Sequence, residues 1–223
     1  MFIAERIDDR PASGLAFTFA VLFAIWIAPF VGGIRGPAVY AGWLLFPFLA
    51  HRESLLARVR IAHLRTRLPQ AAASAAGGAL VGLALLALRP IWPSLLAFVR
   101  VLPTLHRDMV GGSPLILMAL VPAGHVVHEL FYRDLLQREL EDRLGSGPQA
   151  ILMAGLLFSW THVFVFQQLG LAPHEYVGLM AFTWIESLVA GSIFARTRSV
   201  TAAVAFRAAN LLVVMFALLV IPG

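Results

Sequence analysis

The stretch HELFYR, residues 128–133, closes a long apolar run with an acid and an arginine. Glu129 and Arg133 stand four residues apart, so a helix puts them on one face, with the glutamate in the favourable N-terminal place. There the guanidinium can hold the carboxylate in a charge-assisted hydrogen bond. His125 shares that face, whereas His128 diverges from Glu129 by roughly 100°. Further ionisable or amide groups lie in later apolar runs. His162 sits in LLFSWTHVF, Glu186 in FTWIESLVAG, and Arg207 and Asn210 in AVAFRAANLL; Asn210 is the only asparagine of the chain. Ionisable groups inside a bilayer are costly and usually face a bundle interior or a water-filled cavity. The chemistry open to this set is proton transfer, substrate pairing or metal ligation.

Each residue also has a structural reading. Glu129 with Arg133 is equally a buried structural pair, and Arg133 alone could snorkel to the membrane boundary. His162 alone is a hydrogen-bonded helix contact, and Asn210 alone is interhelical glue. Several such groups on consecutive apolar runs favour a shared site.

The elements that carry them follow from composition. Of 223 residues, 60% are hydrophobic and 13% charged, whereas a soluble domain is nearer half apolar and a quarter charged. The expected fold is an all-α polytopic transmembrane helical bundle of about seven spans, near 14–34, 36–50, 71–88, 113–135, 148–169, 175–195 and 199–221. Running the fourth span on through DLLQREL would bring Glu129 deeper. The runs are continuously apolar, which argues against a barrel. All 17 basic residues are arginine, and the net charge is +5. Their clustering in short loops fits membrane topology better than nucleic-acid binding. Segment 51–70 holds five arginines; with the loops 133–147 and 196–198 and the N-terminus it is expected on the cytoplasmic side. Segment 89–112 reads as an interfacial amphipathic helix. No A-x-A-like cleavage site follows the N-terminus, so the first helix is expected to be kept. The absence of cysteine excludes disulfides and thiolate metal sites. The chain divides into N-terminal membrane helices with an arginine-rich loop, 1–110, and a motif-bearing core, 111–223, within one integrated membrane domain.

Residues 110–221 resemble the CAAX protease and bacteriocin-processing family of intramembrane endopeptidases. That family's pattern is Glu-Glu-x-x-x-Arg, then Phe-x-x-x-His, then His-x-x-x-Asn, on successive membrane helices. HELFYR matches at Glu129 and Arg133, FSWTH matches at Phe158 and His162, and FRAAN matches at Asn210. His128 stands in place of the first glutamate and Phe206 in place of the second histidine. The resemblance implies a metal-independent glutamate–histidine peptidase without a cofactor. Glu129 and His162 would share the attacking water, Arg133 would orient Glu129, and Asn210 would donate to the oxyanion. His128 would act as base or donor in place of the missing glutamate. Outside the family pattern, Glu186 is a buried acid on an adjacent span and would supply a second carboxylate if it faces the same cavity. The implied substrate is a membrane-associated or membrane-anchored protein or peptide, and the lysine-free composition suggests a bacterial inner membrane.

Three other readings stand beside this one. A non-catalytic relative would keep the fold as a membrane binding or immunity protein. A small transporter or proton relay would use Glu186, Arg207 and His162, although no repeat symmetry links the halves. Zinc could take His125, His128, Glu129 and His162 as ligands, although HVVHE is not HExxH.

Overall fold

The computed structural model describes residues 64–88, 90–91, 114–163 and 172–220. The first two expected spans, the N-terminal orientation and, apart from residues 90–91, the interfacial segment 89–112 lie outside the described residues. Within them every element is helical, and three helices are long and apolar enough to cross a membrane: Arg67–Ala87, Pro173–Thr197 and Val200–Ala217.

Helix α1 spans Leu64–Ala87, so its first turns take up residues expected in the arginine-rich loop. Helix α2, Pro114–Glu129, carries Pro122 in its interior, a residue that removes one ladder hydrogen bond. Directly after Glu129 the helix widens into a π-helical segment, Leu130–Gln137. It then tightens into α3, Arg138–Leu144. The loop expected over 133–147 is therefore helical as far as Leu144. Its arginines do not end the helix because they pair along it: Arg138 with Asp134 at 2.9 Å and Arg143 with Glu139 at 2.8 Å. The helix thus runs on through DLLQREL, as a longer fourth segment requires.

Gly145 ends α3 in the left-handed region at φ 62°, where a glycine carries no Cβ penalty. Ser146 then caps α4, Gly147–Thr161, by accepting from the Gln149 N–H. This helix stops at Thr161 with His162 as its C-cap; the expected end of the span at 169 lies outside the described residues. Helix α5, Pro173–Thr197, starts with Glu175 accepting from the Ala172 N–H at 3.0 Å. Helix α6 spans Val200–Val220.

Small residues let the helices approach closely. A Cβ on Gly78 of α1 would overlap the Phe206 carbonyl of α6, and one on Gly82 would lie 2.7 Å from the Asn210 carbonyl. Gly155 of α4 seats Leu188 and Trp184 of α5 in the same way. Ser159 adds hydrogen bonds across that pair, to the Met180 carbonyl at 2.6 Å and to Thr183 at 2.9 Å. Polarity is inverted relative to a soluble protein. Leu80, Val177 and Phe216 are 67%, 66% and 60% exposed, whereas Glu129 and Arg133 are fully buried. The apolar exterior suits lipid, and the charges occupy the bundle interior.

One end of the bundle gathers the arginine-bearing termini. Arg67 of α1 donates to the Arg198 carbonyl at 2.6 Å, and Arg198 pairs with Glu141 of α3 at 2.6 Å. These bonds hold Arg198 in the left-handed region at φ 50° after α5. The segments around 67, 141 and 198, expected on one side of the membrane, thus meet at one end of the fold.

Candidate active site

The site starts where α2 changes pitch. Glu129 is its last α-helical residue, and a π segment lets the next turn widen toward neighbouring helices, an arrangement frequent at functional positions. The Glu129 carboxylate is gripped from two sides. Arg133 Nε donates to Oε2 at 3.0 Å, as the four-residue spacing implied. Arg207 Nη1 of α6 donates to Oε1 at 2.9 Å. All three side chains are buried, so each charge depends on its partners for what water would otherwise supply.

Arg133 is itself fixed by contacts that spacing alone did not reveal. Its Nη2 donates to Ser187 Oγ of α5, and its Nη1 to Gln137 Oε1 at 3.4 Å. Gln137 Nε2 donates to the Gly191 carbonyl and to Glu141, both at 3.2 Å. Gly191 makes this possible: a Cβ there would lie 3.0 Å from Gln137 Oε1 and 3.1 Å from Arg133 Nη1. Residues 129, 133, 137 and 141 thus form a polar ladder from the site to the end of the bundle that holds Arg198.

On the other side of Glu129 stands an aromatic cluster. The His128 ring lies 6.0 Å from His162, 6.0 Å from Phe158 and 6.3 Å from His125, centroid to centroid. His162 Nδ1 is 2.8 Å from the Phe158 carbonyl. A carbonyl only accepts, so Nδ1 carries the hydrogen and Nε2 is the acceptor nitrogen of the neutral ring. The Phe-x-x-x-His spacing therefore sets the tautomer as well as the packing, with ring centroids 4.3 Å apart. Tyr132 closes the cluster through a 2.8 Å hydrogen bond with Thr161. His125 lies at its edge with both ring nitrogens buried and unpartnered.

The third motif differs from expectation. Phe206 packs with Ala190 and Ala203, beside Val81 and Ile193. The neighbouring Arg207 faces the site instead. Its guanidinium lies 4.1 Å over the Phe158 ring and bridges Glu129 to Glu186, with Nη2 donating to Glu186 Oε2 at 3.3 Å. Asn210 Nδ2 donates to Glu186 Oε1 at 2.9 Å. Glu186 thus joins the same cluster, through Arg207 and Asn210. The expected site residues Glu129, Arg133, His128, His162 and Asn210 all fall in this region of the bundle. Arg207, Gln137 and Ser187 are additions; the first was legible only as a buried charge, and Gln137 only as the next four-residue step after Arg133. Among the described residues no group of three His, Asp or Glu side chains is arranged to hold a metal ion.

No curated protein and no solved structure matches the chain. Residues 111–213, just under half of the chain, match the family described as Rce1-like: type II CAAX prenyl endopeptidase Rce1-like. The match covers all three motifs and leaves out α1. With the apolar helices it marks the chain as an integral membrane protein. The motif-bearing part of this protein is thus similar to the family of Rce1-like type II CAAX prenyl endopeptidases, and the match takes in the Glu129, His162 and Asn210 motifs.

Proposed function

We propose that the protein is an intramembrane endopeptidase that hydrolyses a peptide bond in a membrane-anchored protein or peptide. The observation that carries this reading is one linkage: a buried carboxylate, Glu129, is held by two guanidiniums, and one of them, Arg207, lies over the Phe158 ring that packs against both His128 and His162. We place the attacking water between the two histidine rings. His162 Nε2 takes the proton as the water attacks, and Glu129 orients the water and balances the charge that develops. Each Glu129 oxygen keeps a second lone pair beside its ion pair, so the carboxylate can still accept from water. No metal or cofactor is needed for this step.

The wider setting belongs to the same proposal. About seven spans form one membrane domain, with residues 1–110 and 111–223 as its two parts. The end bearing Arg67, Arg143 and Arg198 faces the cytoplasm of a bacterial inner membrane, on the positive-inside argument. The partners are a lipid bilayer and a membrane-anchored peptide, and nucleic acid is not among them.

A second reading has its own support. Asn210 Nδ2, the expected oxyanion donor, is engaged by Glu186, and Phe206 is packed among apolar groups. A non-catalytic relative acting as a membrane binding or immunity protein would tolerate both. Incubation of the protein in proteoliposomes with farnesylated and unprenylated membrane peptides in oxygen-18 water separates the two. A peptidase yields a shortened product with one heavy oxygen at its new C-terminus. A binding protein leaves the peptides intact.

A further inference from the structure

We infer that Arg207 is a further catalytic residue, donating its Nε–H to the scissile carbonyl, and that Glu186 is the positioning residue that holds it. This rests on the endopeptidase reading above. A hydrolase must stabilise the oxygen that becomes negative when water attacks. The family pattern has two donor positions for that task, and in this chain one is lost and the other is engaged. Phe206 has no donor and lies in an apolar contact with Ala190 and Ala203. The Asn210 amide nitrogen already commits one of its two N–H donors to Glu186 at 2.9 Å, which ties its orientation to that carboxylate.

Arg207 supplies what is missing. It follows Phe206 directly on α6 but pairs with Glu129 and lies over the Phe158 ring, against which both histidines pack. A guanidinium presents five N–H donors in a rigid fork. One arm donates to Glu129 Oε1 and the other to Glu186 Oε2. The Nε–H is buried and has no partner, in a side chain that is 4% exposed. Leaving a buried donor unpaired is unfavourable unless something else accepts from it, and a carbonyl oxygen gaining negative charge is the matching acceptor. Phe158 beneath the guanidinium, at 4.1 Å, fixes its plane. Asn210 adds a complementary detail, because its Oδ1 is also buried without a partner. Arg207 and Asn210 lie three residues apart and flank the Glu186 carboxylate, so an unpaired donor and an unpaired acceptor stand side by side. A substrate peptide group offers one acceptor and one donor.

The step balances without further reagents. The water oxygen bonds to the carbonyl carbon while a water proton passes to His162 Nε2. The carbonyl π pair moves to oxygen, where Arg207 Nε–H donates to it. Collapse restores the C=O and breaks the C–N bond, and the departing amine takes the proton from His162. Arg207 transfers no proton.

Arg207→Lys keeps a cation between Glu129 and Glu186 but deletes the Nε–H. Cleavage of an internally quenched farnesylated peptide in proteoliposomes gives kcat and KM, and a near-ultraviolet circular dichroism melt reports folding. A charge-balanced Arg207→Gln/Glu186→Gln pair gives a second test in which no unpaired carboxylate is created at position 186. The inference expects kcat to fall by about 10²–10³ in both, the effect of removing one oxyanion donor, with KM within about twofold and the folded signature kept. A kcat within about threefold of wild type in either folded variant overturns the role of Arg207 and leaves the endopeptidase reading standing. A folded wild type that cleaves neither farnesylated nor unprenylated peptide overturns both.

Discussion

Arg207 Nη1 lies 2.9 Å from Glu129 Oε1 although 78 residues separate them in the chain. This ion pair joins α6 to the point where α2 changes pitch, and it extends the four-residue pair Glu129–Arg133 into a network. Two carboxylates and two guanidiniums balance one another inside the bundle, with Asn210 closing the far end.

Arg133 makes side-chain hydrogen bonds to three partners, Glu129, Gln137 and Ser187. Breaking a buried ion pair by removing one partner costs about 3–5 kcal/mol. Arg133→Ala is therefore expected to lower unfolding stability in detergent by that amount. Arg133→Lys recovers only part of it, because an ammonium cannot reproduce the planar fork. Denaturant titration followed by tryptophan fluorescence checks this; equal stability of Arg133→Lys and wild type would contradict it.

Packing of α1 on α6 makes a sharper contrast. Gly78 has no room for a Cβ beneath the Phe206 carbonyl, whereas its neighbour Gly77 has nothing within 4 Å. Gly78→Ala is expected to destabilise by about 1–3 kcal/mol through overpacking. Gly77→Ala is expected to be neutral or slightly stabilising, since alanine is the better helix former. The paired comparison uses thermal melts in one detergent. The same shift in both would show that α1 does not seat on α6 in this register.

Phe206→His restores the letter of the third motif but not its geometry. The new imidazole would enter the apolar contact with Ala190 and Ala203, at a cost of about 1–3 kcal/mol if it finds no partner. A lower melting temperature and no gain in peptide cleavage are expected. Faster cleavage would mean that position 206 can turn toward the carboxylate.

Much of this was legible in the sequence, for identifiable reasons. Glu129–Arg133 and Phe158–His162 follow from helical spacing, and both contacts are observed. The inner position of these groups follows from the cost of charge in lipid. What spacing cannot give is the rotation of one helix against another. Phe206, Arg207 and Asn210 occupy one turn, and the close seat of Gly78 and Gly82 goes with a rotation that turns Arg207 inward and Phe206 into the apolar contact. The π segment is equally hidden, because Leu130–Gln137 keeps a pattern compatible with an ordinary helix. Arginines at 138 and 143 suggested a loop, yet each is neutralised by an acid four residues earlier on the same helix.

The central claim is that a carboxylate and a histidine, without metal, hydrolyse a membrane peptide. Mass spectrometry of a farnesylated peptide in proteoliposomes tests it with wild type, Glu129→Gln and His162→Ala, each with and without chelator. The account predicts product from wild type in both conditions, and product formation reduced by about 10²–10⁴ in each folded variant, as expected when a general base or its partner is removed. Undiminished product from either variant would contradict the glutamate–histidine device, and loss of wild-type product with chelator would contradict its independence of metal.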